Sequence, residues 1–327
     1  MKILSLMIIS NILFAHSLYA QRVFKEMKNI EKNEVSEYGY SKGFLKMQND
    51  TLLLCRDLSR IEVYDKEQNL LLEYGKEGKG PGELLFILGM IIYKKQLILL
   101  DNTNNKVVYL TFEKEPRLIK EVPIRENGSQ IFIVNDTLIV KHSLNDYLLA
   151  EYNDNGDIIS TYPELNEDDS FNMFGMSGDI FYENNYFHVF KSYNLEVTSF
   201  MRKSKNYTTD KLQNEFNTVK KVEIPKIDLS DRTPGIRSYS PPKTKVIYLY
   251  NKIDDKLLIL NYGLNEKKEI ARIVDIYDWS SRNYQYSIKI NPELEMGDIN
   301  LYFPNDLNNY YTRLPDLSIY HVKYTLD

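Results

Sequence analysis

After Gln21 the chain is a succession of short apolar runs rich in Leu, Ile, Val and Tyr, separated by clusters of Asn, Asp, Gly and Lys. Runs of that kind bounded by turn formers read as β-strands. Residues 51–55, 61–64 and 70–74 predict three consecutive strands with tight connections. The same triplet recurs at 97–100, 106–112 and 117–122, and again at 137–140, 147–152 and 157–161, where Asn153-Asp154-Asn155-Gly156 forms the last hairpin turn. A helical apolar period shows only weakly, over residues 209–221. The expectation is an all-β protein.

Asp50-Thr51-Leu52 and Asp136-Thr137-Leu138 stand 86 residues apart, with Gln96-Leu97 close to midway. The repeat is therefore about 43 residues, the size of a four-stranded β-propeller blade. The chain length accommodates a six-bladed β-propeller of four-stranded antiparallel blades, near 45–83, 84–127, 128–174, 175–243, 244–290 and 291–327. A polar stretch at 203–243, with Lys220-Lys221 and four prolines, reads as an insertion leaving the ring. Residues 22–44 are expected to close the ring by adding a strand to the last blade, because an open sheet edge invites aggregation.

Residues 1–20 have a different pattern: Lys2, an apolar core from Ile3 to Phe14, and a segment ending in Ala20. That is the layout of a secretory signal peptide. The expectation is a leader at 1–20, a single propeller domain at 21–327, and a periplasmic or extracellular location. The longest later apolar run, 84–93, is about half a membrane span.

A net charge of −5 argues against nucleic acid or an anionic membrane as the main partner. The single cysteine, Cys55, excludes an internal disulfide, a thiol redox pair and a multi-cysteine zinc site. Twenty-six Tyr and 14 Phe against one Trp make a strand-favouring aromatic content.

Tyr74-Gly75-Lys76-Glu77-Gly78-Lys79-Gly80-Pro81-Gly82-Glu83-Leu84 precedes a strand ending in Asp101, an Asn-rich turn and Lys106. This resembles the NHL-type repeat, and the chain is similar to the six-bladed β-propeller proteins exported by Bacteroidetes. Full agreement covers one blade; 55–61 is the next nearest segment. Read from the residues alone, Gly75, Gly78, Gly80 and Gly82 permit positive φ in an interblade crossing stiffened by Pro81. The loop lacks the Gly-Lys-Ser/Thr ending of a phosphate loop. Asp101 and Asn105 are suited to hold the turn backbone, and Lys106 to pair with a carboxylate of a neighbouring blade.

In a four-stranded blade, the interblade loop and the loop between the second and third strands emerge on one face. Propellers commonly bind ligands where such loops converge. That face makes Arg56, Asp57, Arg60, Glu83, Asp101, Asn102, Asn105, Lys141, His142 and Lys191 the candidate ligand-binding residues. His142 and His188 occupy comparable places in consecutive blades and invite a metal or general-base reading, with His321 as the remaining candidate. Among resembling propellers, lactonases use a Glu, Asn and Asp set around a divalent cation. This resemblance implies a calcium-like ion at Glu83, Asp101 and Asn102 if the protein is an enzyme. Asp154-Asn155-Gly156-Asp157 lacks the bidentate Glu of a calcium loop and reads as a hairpin. No Gly-x-Ser-x-Gly or His-Glu-x-x-His motif occurs.

The expectation is therefore a binding or scaffold module for a protein or carbohydrate ligand, with no cofactor. A metal-assisted lactonase or lyase at the channel mouth is the alternative.

Overall fold

The middle strands are buried almost throughout, whereas the fourth strands alternate between covered and solvated positions. Leu97, Ile98, Leu99 and Leu100 are all buried, while Leu70, Leu71, Glu73 and Gly75 of a fourth strand face solvent around buried Leu72 and Tyr74. Continuous apolar runs belong to strands covered on both faces, and alternation to strands covered on one. Blades packed face to face around an axis satisfy both patterns.

The computed structural model describes residues 23–36, 45–48, 51–55, 58–126, 128–142, 146–165, 180–190, 195–212, 249–264, 270–290, 301–302, 307–313 and 319–327. Two N-terminal strands come first, β1 (Phe24–Lys25) and β2 (Met27–Ser36). The first blade holds β3 (Leu45–Gln48), β4 (Thr51–Cys55), β5 (Arg60–Tyr64) and β6 (Leu70–Gly75). The second holds β7 (Ile87–Tyr93), β8 (Gln96–Asp101), β9 (Lys106–Thr111) and β10 (Leu118–Pro123). The third is β11 (Gly128–Val134), β12 (Thr137–His142), β13 (Tyr147–Tyr152) and β14 (Ile158–Glu164). The fourth is β15 (Ile180–Glu183), β16 (Tyr186–Phe190), β17 (Glu196–Met201) and β18 (Thr208–Lys211).

The fifth blade contains β19 (Leu249–Ile253), β20 (Lys256–Leu264), β21 (Ile270–Asp278) and β22 (Tyr284–Lys289), extended by β1 lying parallel to β22. The sixth contains β23 (Leu301–Tyr302), β24 (Asn309–Arg313) and β25 (Ile319–Leu326), with β2 antiparallel to β25 as its outer strand. The protein is thus an all-β, six-bladed propeller, and the described residues contain no helix.

The closing strand expected from residues 22–44 is present, and its approach engages two blades. Val23 O accepts from Ser287 N of the fifth blade, while Glu26 and Asp327 exchange bonds at the sixth. At the last seam, Gln68 of the first blade meets His321 of the sixth, 3.3 Å apart. The first part of the polar stretch expected to leave the ring at 203–243 stays within it. Residues 203–212 belong to the fourth blade, with β18 as its outer strand, and this includes the start of the weak helical pattern. The remainder of that stretch lies outside the described residues.

Apolar clusters fill the seams between successive blades. Leu53, Val63, Leu97 and Leu110 join the first two; Ile98, Val107, Val140 and Ala150 join the next. Ile139, Leu149, Phe187 and Phe200 continue the series, followed by Val197 with Ile259 and by Ile276 with Tyr310. The hairpins from first to second strand turn tightly at Lys94 and Lys95, Asn135 and Asp136, and Asn184 and Asn185, all with positive φ. Two consecutive left-handed residues define the turn that matches strand twist, and Asn and Asp tolerate it well. At the expected Asn153 turn, the side-chain Oδ1 accepts from Asn155 N and Asp157 N, and Gly156 has φ of 86°.

Candidate functional site

The face predicted from topology is assembled around the Gly-rich crossing of residues 76–86. Positive φ occurs at Gly78 and Gly82, and not at Gly75 or Gly80. At Gly82, with φ of 74°, a Cβ would lie 2.9 Å from the Tyr74 hydroxyl, which donates to Gly82 O. The Glu83 carboxylate folds back and accepts from Gly80 N at 2.7 Å.

Asp101, at the end of β8, is fully buried and saturated with donors. Leu85 N and Phe86 N reach its two oxygens at 2.9 and 3.1 Å, and Asn104 adds its backbone N at 3.2 Å and Nδ2 at 2.7 Å. A carboxylate in this position ties the incoming interblade loop to the middle of the blade. Asn102 donates to Gly128 O at 2.7 Å, linking this turn to the next blade, and the Asn105 carbonyl accepts from Ile124 N. Lys106 pairs with Glu121 at 2.6 Å and donates to Gly80 O at 3.0 Å. Glu121 is on β10, so this partner belongs to Lys106's own blade, contrary to the neighbouring-blade expectation.

His142 ends β12 as Asp101 ends β8, and it performs the matching task with different chemistry. Both residues sit opposite a first-strand irregularity, Asp101 beside Ile87 and His142 beside Gly128. Nδ1 donates to Glu126 O at 3.1 Å, and Nε2 accepts from the Tyr152 hydroxyl at 2.8 Å, which in turn accepts from Arg125 N. This tautomer is the one that satisfies the chain of partners. Burial holds the ring below the usual imidazole value, so it stays neutral.

Arg60 is half exposed beside Glu73, with 3.7 Å between the charged atoms. Lys141 is buried, and its carbonyl accepts from Ser129 Oγ at 3.4 Å. Arg56, Asp57 and Lys191 lie outside the described residues. Thus the loop face brings Glu83, Asp101, Asn102 and Asn105 together, mainly to fasten blades. No group of three or more His, Cys, Asp or Glu side chains gathers as a cation site among the described residues.

The opposite face carries an aromatic cluster that sequence pattern did not reveal. Trp279 lies in the β21–β22 connection, where its indole contacts Phe181 and His188 of the fourth blade at centroid distances of 5.0 and 4.9 Å. Arg282 lies over the indole, 3.4 Å from its centroid, and donates through Nη1 to Trp279 O. The turn is preset by Asp278, whose Oδ1 accepts from Ser281 N, Ser281 Oγ and Ser280 Oγ; those bonds pull its carboxyl down to about 2.

His188 Nδ1 and the Ser199 hydroxyl are hydrogen-bonded at 2.8 Å. Burial, followed by the charge of Arg282, pulls this imidazole down to about 4. The two histidines therefore work in separate settings: His142 within its own blade's loop network, His188 at the seam between the fourth and fifth blades. Lys252 bridges that seam to Glu183 at 2.7 Å. The available sequence signal was the sole Trp with an Arg three residues later. Its apposition to Phe181 and His188 required the tertiary fold.

No family model and no curated protein matches the sequence. A provisionally named exported protein of Bacteroides fragilis has 14% identity and a TM-score of 0.57, the alignment covering 93% of this chain and 99% of that one. U3-55K has 10% identity and a TM-score of 0.51, with 91% and 99% covered. Virginiamycin B lyase from Staphylococcus aureus follows with 11% identity, a TM-score of 0.49 and coverage of 90% and 99%. The first two likenesses support the propeller fold found in the structure.

Proposed function

We propose that this protein is an exported binding or scaffold module, a rigid ring that holds a protein or carbohydrate ligand without transforming it. The observation that carries this reading is the saturation of Asp101. A carboxylate already receiving four N–H bonds serves the blade crossing, and Glu83 and Asn102 are similarly engaged. The signal-like residues 1–20 and the exported designation of the Bacteroides fragilis neighbour support a place beyond the cytoplasm. Propeller faces supply several exposed loops on one stiff frame, which suits recognition.

Thermal unfolding with calcium, chelator, glycans and sugar lactones tests the proposal. Stabilisation by a glycan or protein, indifferent to chelator and without product formation, is the expected result. Calcium-dependent turnover of a lactone, lost in Glu83→Gln, would overturn it in favour of the enzyme.

A further inference from the structure

The seam between the fourth and fifth blades contains a cation without an ion pair among the described residues. Arg282 is half-buried and lies flat on Trp279, yet makes no ion pair among the described residues. Burial holds its guanidinium below the usual value. Of the carboxylates that influence it, Asp278 is committed to Ser280 and Ser281, and Glu183 to Lys252. Asp210, exposed on β18 and paired in register with Val197 of β17, forms no salt bridge among the described residues.

His188 adds an imidazole. Its Nδ1 is hydrogen-bonded to the Ser199 hydroxyl, and its Nε2 has no hydrogen-bond partner among the described residues. Tyr186 borders the same region with 40% of its surface exposed, its ring nearly parallel to that of His188. One planar cation, one imidazole, one exposed carboxylate and several aromatic rings thus gather at one seam. An arginine held flat is suited to a carboxylate, which it binds through paired N–H donors. Asp210 favours a ligand that also presents hydroxyl groups and disfavours a polyacidic peptide, whose further carboxylates would face it.

We propose that the surface cluster of Phe181, Tyr186, His188, Asp210, Trp279 and Arg282 binds a sugar bearing a single carboxylate. The carboxylate sits on Arg282, and ring hydroxyls engage Asp210 and His188. This inference rests on the binding-module reading and supplies its ligand class.

Trp279 is the only tryptophan, so its emission reports directly on this cluster. The purified protein is titrated with cellobiouronic acid, with cellobiose as the neutral counterpart and penta-glutamate as the acidic peptide. The expected result is a saturable emission change with cellobiouronic acid and binding at least tenfold weaker for the other two. Arg282→Gln weakens binding at least tenfold. Asp210→Asn, on an exposed strand and chosen to leave the fold intact, weakens it severalfold. Equal binding of cellobiose, tighter binding of penta-glutamate, or parental affinity in both variants would overturn the inference. Absence of cellobiouronic acid binding by both fluorescence and calorimetry would also overturn it; stoichiometric binding of a protein or neutral glycan elsewhere would still support the module reading.

Discussion

The side-chain amide of Gln130 pairs with the backbone of Ile180 across two blades: Nε2 donates to the carbonyl at 2.9 Å, and Oε1 accepts from the N–H at 3.1 Å. Gln48 does the same with Ile92 one pair of blades earlier, at 2.6 and 2.9 Å. Inner strands of successive blades belong to different sheets, so their facing backbone groups lack a ladder partner. A primary amide carries the donor and acceptor that a strand would have supplied. Replacing Gln130 with Leu should destabilise the protein by about 1–3 kcal/mol by orphaning the Ile180 groups. Urea unfolding should show a lower midpoint at unchanged slope. An unchanged midpoint would show that the pairing contributes nothing.

Glu151 is fully buried and held by Arg202 through two bonds, of 2.6 and 3.1 Å, with Tyr162 donating at 3.0 Å. Burial alone would raise its carboxyl, but Arg202 and Tyr162 outweigh that effect and lower it. Arg202→Ala leaves the buried charge between the third and fourth blades with only Tyr162 and the exposed Lys203, 3.5 Å away, and should destabilise by about 3 kcal/mol. The exposed Arg117–Glu113 pair provides the contrast, with an expected effect of under about 1 kcal/mol for Arg117→Ala. Chemical denaturation of both variants checks the difference; equal effects would refute the assigned importance of burial.

Acid sensitivity should begin above the carboxylate range. His188 has a folded value of about 4 against 6.5 for the ordinary imidazole, so between those values the unfolded chain binds more protons. Its contribution to stability is therefore lost as pH falls from 6.5 towards 4. His142 is shifted in the same direction. Melting temperature should decline over this window, and His188→Gln should flatten the decline. A parallel pH profile in the variant would contradict the assignment.

Removing residues 23–36 takes away β1 and β2 together. The edge of β25, now unpaired, should promote self-association, because an exposed strand edge is a template for pairing. Size-exclusion chromatography should show larger species for the truncated chain. A folded, stable monomer would show that ring closure does not depend on this segment.

Much of the architecture was legible in strand rhythm, since middle strands buried on both faces produce continuous apolar runs such as 97–100. The inner strand Gly128–Val134 was harder to read: its Gly128, Ser129 and Gln130 serve a bulge and interblade bonds instead of an apolar alternation. Turn duty at Asp101 followed from its place before an Asn-rich turn. The equivalence of Asp101 and His142 emerged only from the ladder register, because chemically unlike residues perform the same fastening. Trp279 and Arg282 likewise gained meaning from Phe181 and His188, brought across a seam by the fold.

The most direct test separates the fastening face from the Trp279–Arg282 cluster by measuring unfolding stability and cellobiouronic acid affinity in Asp101→Asn and Arg282→Gln. Asp101→Asn places an amide among four N–H donors and should lower stability by about 2 kcal/mol while leaving the affinity of the folded fraction within twofold. Arg282→Gln should reduce affinity at least tenfold with a smaller change in stability. Loss of binding in Asp101→Asn with retention in Arg282→Gln would contradict the account and return the ligand to the loop face.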